Sequence, residues 1–437
     1  MRRVFVLAAC LCFCSTASSP QTPARNQVDP RINALISGVS EARLRALVEH
    51  LASFRTRHLL SNPSPAGNEI GAAREWILNE FRASSSRLQV SFETYSIPAQ
   101  TDRIPVATEV RNVVAILPGR SPRRVYVIGH YDSRSVELGM PGAIAPGAND
   151  DGSGTALTME LARVFAESGL QFDATLVFMA TAGEEEYWVG SRLHSQNAIA
   201  SNLRIDAVLS NDIVGGASGG NGMANTDTVR VFSEGPEDSP SRQLARYVRD
   251  AAVRYYPSQH VQLVALHDRF TRGGDHSAFN QHGFAAVRVT EEHENYAKQH
   301  AAADTPDGVS FPYLARNARV NAAALAMLAL APPAPVVTDK AGAPTLSRGA
   351  GYDARLTWQA APGAAGYRVY SRRAWDLDWD TSVTVGPVTD YTFTGVTIDD
   401  RVFGVAALDQ NGNESLVSVF KNPTRPDVIF TITPTAR

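Results

Sequence analysis

The sequence predicts an α/β protein: a three-layer α/β/α sandwich around a mostly parallel mixed sheet, followed by a small all-β sandwich. Three observations point there. Between residues 26 and 331, short apolar runs alternate with amphipathic stretches, the pattern of parallel strands with helices on both faces. Three of the apolar runs end on polar residues able to do chemistry: VYVIGHYDS at His130, ATLVFMATAGEEE at Glu184 and Glu185, and AVLSND at Asp212. In open α/β sheets, ligands bind outside the carboxyl ends of the strands. Beyond a proline-rich stretch at 332–343, the pattern changes to short strands and turns.

Taken in order, the chain opens with MRR, a short apolar core VFVLAACLCFC and the small residues STASS. This reads as an export signal over residues 1–17, cleaved after Ala17, and predicts a secreted or periplasmic protein. Cys10, Cys12 and Cys14, the three cysteines of the chain, would leave with it. An alternative takes Leu7-Ala8-Ala9-Cys10 as a lipoprotein box with Cys10 as anchor. No later run reaches 18 consecutive apolar residues, so no membrane-spanning helix is expected. SEARLRALVEHLASF is a helix capped by Ser40, and NEIGAAREWILNEFRAS a second. LQVSFETYSI, RNVVAIL and RVYVIG are strands. GTALTMELARVFAES is a helix after a turn-rich loop, APGANDDGSG. ATLVFMA, DAVLSN, TVRVFS and AAVRVT are later strands, SRQLARYVRDAAVRYY a helix among them, and YLARNARVNAAALAMLALA closes the domain. Residues 344–422 read as a β-sandwich from LTW, GYRVY, DYTFTGV and the DQNGNES turn, and 423–437 as a tail able to add an edge strand. The sandwich carries no catalytic constellation, which leaves it substrate or surface binding, spacing or packing.

Composition narrows the function classes. The 437 residues suit two or three domains. A net charge of −3 with 19% charged residues leaves no basic footprint for nucleic acid.

His130, Asp150, Glu185, Asp212 and His300 together have the chemistry of a two-metal site. Imidazole and carboxylate suit zinc, with manganese or cobalt as substitutes. Three carboxylates offset most of the charge of two divalent ions. Two ions about 3.5–4 Å apart can hold water between them and clamp a substrate oxygen. Asp132, two residues after His130, would orient that ring through its second nitrogen. Glu184 would take the proton from the water. Asp151 reads as the N-cap of the helix starting near Gly152, and Glu186 as a solvated or capping acid rather than a ligand. His293, in EEHENYAKQH, is a candidate for lining the substrate cleft. His50, His58, His194, His260, His267 and His282 carry no motif. GGASGGNG after Asp212 lacks the lysine and hydroxyl of a phosphate loop and reads as a flexible loop.

The order HxD, NDDGSG, GEE, D, then His300 followed by an Asp304-Thr305 pair resembles the M28 family of zinc peptidases, best known for secreted bacterial aminopeptidases. The resemblance covers roughly residues 40–330. It implies that His130, Asp150, Glu185, Asp212 and His300 ligate two zinc ions, with Asp150 bridging through a cis Asp150–Asp151 peptide. It also implies Glu184 as general base and Asp132 as partner of His130. His276 matches a family histidine that is not a ligand. The family's oxyanion-holding tyrosine is missing: RFTRGGDHSAF has Thr271 or Arg272 near its place, and Arg272 would supply positive charge instead. The expectation is a zinc-dependent exopeptidase, an aminopeptidase acting on the N-termini of peptides or proteins. A glutaminyl cyclase with one zinc, a carboxypeptidase or dipeptidase, and a non-catalytic binding protein on the same scaffold are the alternatives. The carboxy-terminal module resembles a fibronectin type III domain.

Overall fold

The computed structural model describes residues 28–136, 140–270, 272–348 and 352–422. The expected export segment with its three cysteines, Thr271 and the tail 423–437 lie outside the described residues. Helices α1 (Pro30–Ser37), α2 (Glu41–Ser53) and α3 (Ile70–Ser84) lead into strands β1 (Gln89–Ile97), β2 (Thr108–Leu117) and β3 (Arg124–His130). There follow α4 (Gly152–Glu167), β4 (Thr175–Thr181), α5 (Val189–Ala200), β5 (Ile205–Asn211), β6 (Thr228–Ser233), α6 (Pro240–Tyr255), β7 (His260–Val264), α7 (Asp275–Asn280), β8 (Ala286–Glu291) and α8 (Phe311–Leu330).

These strands form one sheet in the order β1-β2-β4-β3-β5-β8-β6-β7. β4, β3, β5 and β8 are parallel; at one flank β1 pairs antiparallel with β2 and β2 with β4, and at the other β6 pairs antiparallel with β8 and parallel with β7. The four parallel strands therefore end along a single edge. Their sequences are apolar throughout because both faces are covered. Along β3, Val125 and Val127 join the core on one side, and Tyr126 and Ile128 the core on the other. α4 and α8 pack on one face, and α5 and α7 on the other. Ser40 caps α2 as its sequence predicts, its Oγ accepting from the Arg43 amide at 3.2 Å. No helix among the described residues is long and apolar enough to cross a membrane.

Beyond α8, β9 (Leu346–Arg348), β10 (Ala354–Thr357), β11 (Gly366–Arg373), β12 (Thr381–Val385), β13 (Asp390–Phe393), β14 (Arg401–Leu408) and β15 (Ser418–Phe420) make two antiparallel sheets, β13-β10-β9 and β12-β11-β14-β15. Trp358, Tyr367, Val369, Phe393, Phe403 and Val405 fill the space between them. The proline-rich stretch expected as a linker is partly taken into this module. Val337 is buried in its core, while Val336 pairs through its backbone with Gln359 and keeps its side chain exposed, because burying the Val337 side chain beside the sheet is favourable.

The sandwich docks on α6. The Tyr247 hydroxyl donates to the Glu414 carbonyl at 2.6 Å, and the Arg246 Nε to the Leu377 carbonyl at 2.6 Å. Arg123, Ile205 and Ala285, at the amino ends of β3, β5 and β8, border the same cleft as Leu416, Ser418 and Val419 of the sandwich. The second module thus sits at the amino ends of the parallel strands, opposite the edge where the candidate ligands gather.

Candidate metal centre

β3 delivers His130 to the carboxyl edge of the sheet. There the start of α4 approaches so closely that no side chain fits. A Cβ on Gly129 would stand 2.4 Å from the Gly154 carbonyl carbon, and one on Gly154 would stand 2.1 Å from the Asn211 carbonyl oxygen. The GSG of the loop motif presses Asp150 and Asp151 against β3 and β5 in this way. Asp151 caps α4: its Oδ1 accepts from the amides of Gly154 at 2.9 Å and Ile213 at 3.1 Å, and its Oδ2 from the His130 amide at 3.0 Å. The Asp150–Asp151 peptide is cis. Asp304 holds the loop from outside, accepting from the amides of Asn149 at 3.0 Å and Asp150 at 2.9 Å.

The five predicted ligand residues converge. Asp150 lies between the histidines, with Oδ1 3.4 Å from His130 Nε2 and Oδ2 3.2 Å from His300 Nε2. Asp212 Oδ1 faces His130 Nε2 at 3.6 Å, and Glu185 Oε1 faces His300 Nε2 at 3.0 Å. His130 Nε2, Asp150 Oδ2, Glu185 Oε1 and Asp212 Oδ1 are buried without any hydrogen-bond partner. Buried polar atoms are rarely left so, and four brought together from two strand ends and two loops fit bound cations. Asp151 also lies within ligand distance of His130 and Asp212. Its two oxygens already accept three amides, so Asp150 is the donor with capacity to spare.

The charges agree with the geometry. Burial opposes a charge on His130, yet Asp132, Asp150 and Asp212 push its pKa well above the ordinary value. His300, also against burial, is pushed up to about 10 by Glu185 and Asp150. The two rings in turn hold the buried Asp150 carboxyl well below its usual range. Among protein groups alone, the carboxylates keep a proton on each ring, and a divalent cation would replace those protons. Imidazole and carboxylate donors of this kind fit zinc.

Glu184 is half-buried beside this cluster. Burial, then the charges of Asp212, Glu185 and Asp275, raise its carboxyl well above the ordinary value. Among the described residues nothing donates a hydrogen bond to that carboxylate. Asp132 meets the second ring nitrogen of His130, and its backbone makes the nearer contact. His130 Nδ1 lies 3.1 Å from the Asp132 carbonyl, and the carboxylate stands 3.6 Å away. The carboxylate instead accepts from the amides of Glu184 at 3.2 Å and Glu185 at 3.1 Å. Asp132 thus orients the ring with its backbone and sets the two glutamates with its side chain.

Arg272 is held through Nη1 by Glu294 at 2.7 Å and lies with Nε 3.7 Å from Asp268. His293 is half-buried against the Gly219 loop, and among the described residues its ring makes no hydrogen bond. Glu186 is buried, not solvated, with Oε1 3.5 Å from His58 Nε2. His276 is buried and donates to or accepts from no ligand residue; its Nε2 lies 3.1 Å from the His267 carbonyl.

Two arginines behind the ligands were not singled out in the sequence. Arg288 is fully buried, 3.0 Å from Asp212 Oδ2 and 2.8 Å from Asp268. Its signal was a lone charge inside the apolar strand AAVRVT. Arg134 stands 2.5 Å from Glu185 Oε2. It had no signal beyond following His130 by four residues.

Fold and cluster define a metal-dependent hydrolase of the α/β/α type. A family model described as Peptidase family M28 matches residues 112–325. A protein of Pyricularia oryzae named "Probable zinc metalloprotease" is 37% identical, the match covering 89% of this chain and 84% of that one. A similarly named protein of Leptosphaeria maculans is 34% identical, covering 89% and 96%. Among solved structures, LapB of Legionella pneumophila superposes with a TM-score of 0.56 at 18% identity, covering 71% of this chain and 78% of that one. The Porphyromonas gingivalis glutaminyl cyclase superposes with a TM-score of 0.52 at 19% identity, covering 66% and 98%. At such identities the structures share the fold alone. The chain belongs to peptidase family M28 and is a zinc metallopeptidase.

Proposed function

We propose that this chain is an exported aminopeptidase with two zinc ions per chain, removing residues from the N-termini of peptides. The observation that carries the reading is the position of Asp150. Its two oxygens face two separate donor sets, His130 with Asp212 and His300 with Glu185. Bound zinc would polarise the scissile carbonyl and acidify the attacking water. Glu184, free of competing donors, takes the proton of that water and returns it to the leaving amine. Asp132 keeps Glu184 and Glu185 in register, so that the base and the ligand stand side by side. The buried carboxylates make the cleft attractive to a cationic N-terminus, which supports an aminopeptidase over an endopeptidase.

A glutaminyl cyclase shares the fold but would use one ion. The second complete donor set disfavours it. The β-sandwich, with its three- and four-stranded sheets, is proposed to be a fibronectin type III module that braces the enzyme from the far side of the sheet. The test is a panel of aminoacyl and N-acetylated peptides assayed with zinc and after chelation. The reading expects cleavage of the free N-termini only, abolished by chelator. Cleavage of blocked peptides, or activity that survives full chelation, would contradict it.

A further inference from the structure

Glu185 turns Oε1 to His300 and Oε2 to Arg134. A pocket of about 200 Å³ opens beside it, lined by Arg103 and Arg134, with His58 and Glu186 below and Leu60 and Val106 on its walls. Both guanidiniums are anchored on Glu185. Arg134 Nε lies 2.5 Å from its carboxylate, and Arg103 Nη1 donates to its carbonyl at 2.6 Å. Arg103 also lies over the Tyr187 ring, 4.5 Å from its centre. Among the described residues, neither Nη of Arg134 nor Nη2 of Arg103 has a hydrogen-bond partner. Two acids also border the pocket: Asp102 accepts from the Tyr187 hydroxyl at 3.3 Å, and Glu186 has Oε1 3.5 Å from His58 and a buried Oε2 without a hydrogen-bond partner among the described residues.

We propose that this pocket is a carboxylate subsite for the substrate residue next to the scissile bond. Two forks of N–H donors, held rigidly and backed by apolar walls, suit a carboxylate carried on a short aliphatic frame. Arg134 touches a metal ligand, so the bound carboxylate lies within about one residue of the reacting carbonyl. It comes either from the free C-terminus of a very short peptide or from an acidic side chain at that position. The inference rests on the peptidase reading above and narrows its substrate class.

The experiment uses the zinc-loaded full chain with Leu-Leu, Leu-Leu-amide and Leu-Glu-amide. A carboxylate should raise kcat/KM about ten-fold over Leu-Leu-amide. Preference for Leu-Leu assigns the subsite to the C-terminus, and preference for Leu-Glu-amide assigns it to the side chain. Arg103→Gln, which touches no ligand side chain, should keep its zinc and cut the preference at least about three-fold. Hydrolysis of all three peptides at rates within about two-fold of one another, or a preference unmoved in Arg103→Gln, would overturn the subsite and leave the peptidase intact. Calorimetry on the zinc-loaded Glu184→Gln variant separates the other case. Tighter binding of the carboxylate peptides with no turnover by the native enzyme would support the subsite and sink the aminopeptidase reading.

Discussion

The two halves of the metal centre share Asp150 but are built differently. His130 and Asp212 sit at the ends of β3 and β5, and the His130 side chain is 1% exposed. Arg288, in the neighbouring β8, fixes Asp212 from behind and is itself fixed by Asp268. Glu185 and His300 come from loops. The His300 side chain is 24% exposed, and its backbone has φ of 55°, a left-handed conformation uncommon for a residue with a side chain. The first half is preorganised by the sheet, whereas the second is assembled by loops and closed by long-range charge. On the proposed two-ion reading, the difference teaches that one ion should bind to a site ready for it and the other to a site it helps to order.

Removing what the halves share should have the largest effect. Asp150→Ala is expected to lose tight binding at both halves and to lower turnover by at least about four powers of ten, read by metal analysis and peptide hydrolysis. Retention of two tight zinc ions would show that Asp150 does not bridge. Next in size, Glu184→Gln should keep both ions and lose roughly two to four powers of ten in kcat. Its neighbour Glu185→Gln should release the ion of the loop half alone. If both variants lose metal equally, the division between base and ligand is wrong.

Deleting the support behind each half compares them directly. Arg288→Met removes the buried guanidinium shared by Asp212 and Asp268, leaving them the more distant His130 and Arg272, which should cost about 3 kcal/mol in denaturant unfolding of the metal-stripped protein. Arg134→Met, at the more open half, should cost less. Equal losses would remove the contrast between sheet-built and loop-built halves. Protons give a further measure. In the stripped protein His300 titrates near 10 and His130 well above its ordinary value, so zinc uptake at pH 7 should release roughly two protons per chain, measurable by calorimetry in buffers of different ionisation heat. The sign for stability follows. The folded pKa of His300 is raised, so its contribution is full below about 6.5 and is lost as pH rises through about 10. The smallest effect lies far from the centre: Tyr247→Phe at the sandwich interface should cost about 1 kcal/mol and leave kcat unchanged.

The same contrast explains how much could be read in the sequence. His130 and Asp212 end apolar runs, and the ordered edge of a parallel sheet makes such positions legible. The alternation of strands and helices placed the sheet and its flanking layers for the same reason. His300 was legible only through the motif that follows it, since no periodicity leads to it. α5 escaped notice because its buried face mixes Ser191, His194 and Ser195 with Val189, Gly190 and Ala198 and so shows no continuous apolar stripe; His194 is satisfied by Glu93 at 2.8 Å and by Tyr126 at 3.2 Å. α7 has six residues, too few to show a helical period, and β7 is a short strand at the sheet edge. The arginines behind the ligands were hidden because their roles depend on which strands and loops become neighbours. β8 lies beside β5 in the sheet although two helices, α6 and α7, and two strands separate them in the chain.

The central claim is that one bridging carboxylate joins a sheet-built and a loop-built metal site. Graded chelation of the zinc-loaded chain, followed by metal analysis and repeated on His300→Ala, tests it most directly. The account predicts two zinc ions per native chain, lost in two separated steps, and one retained zinc ion in His300→Ala. A single zinc ion in both proteins, or the loss of both ions from the native chain in one step, would contradict it.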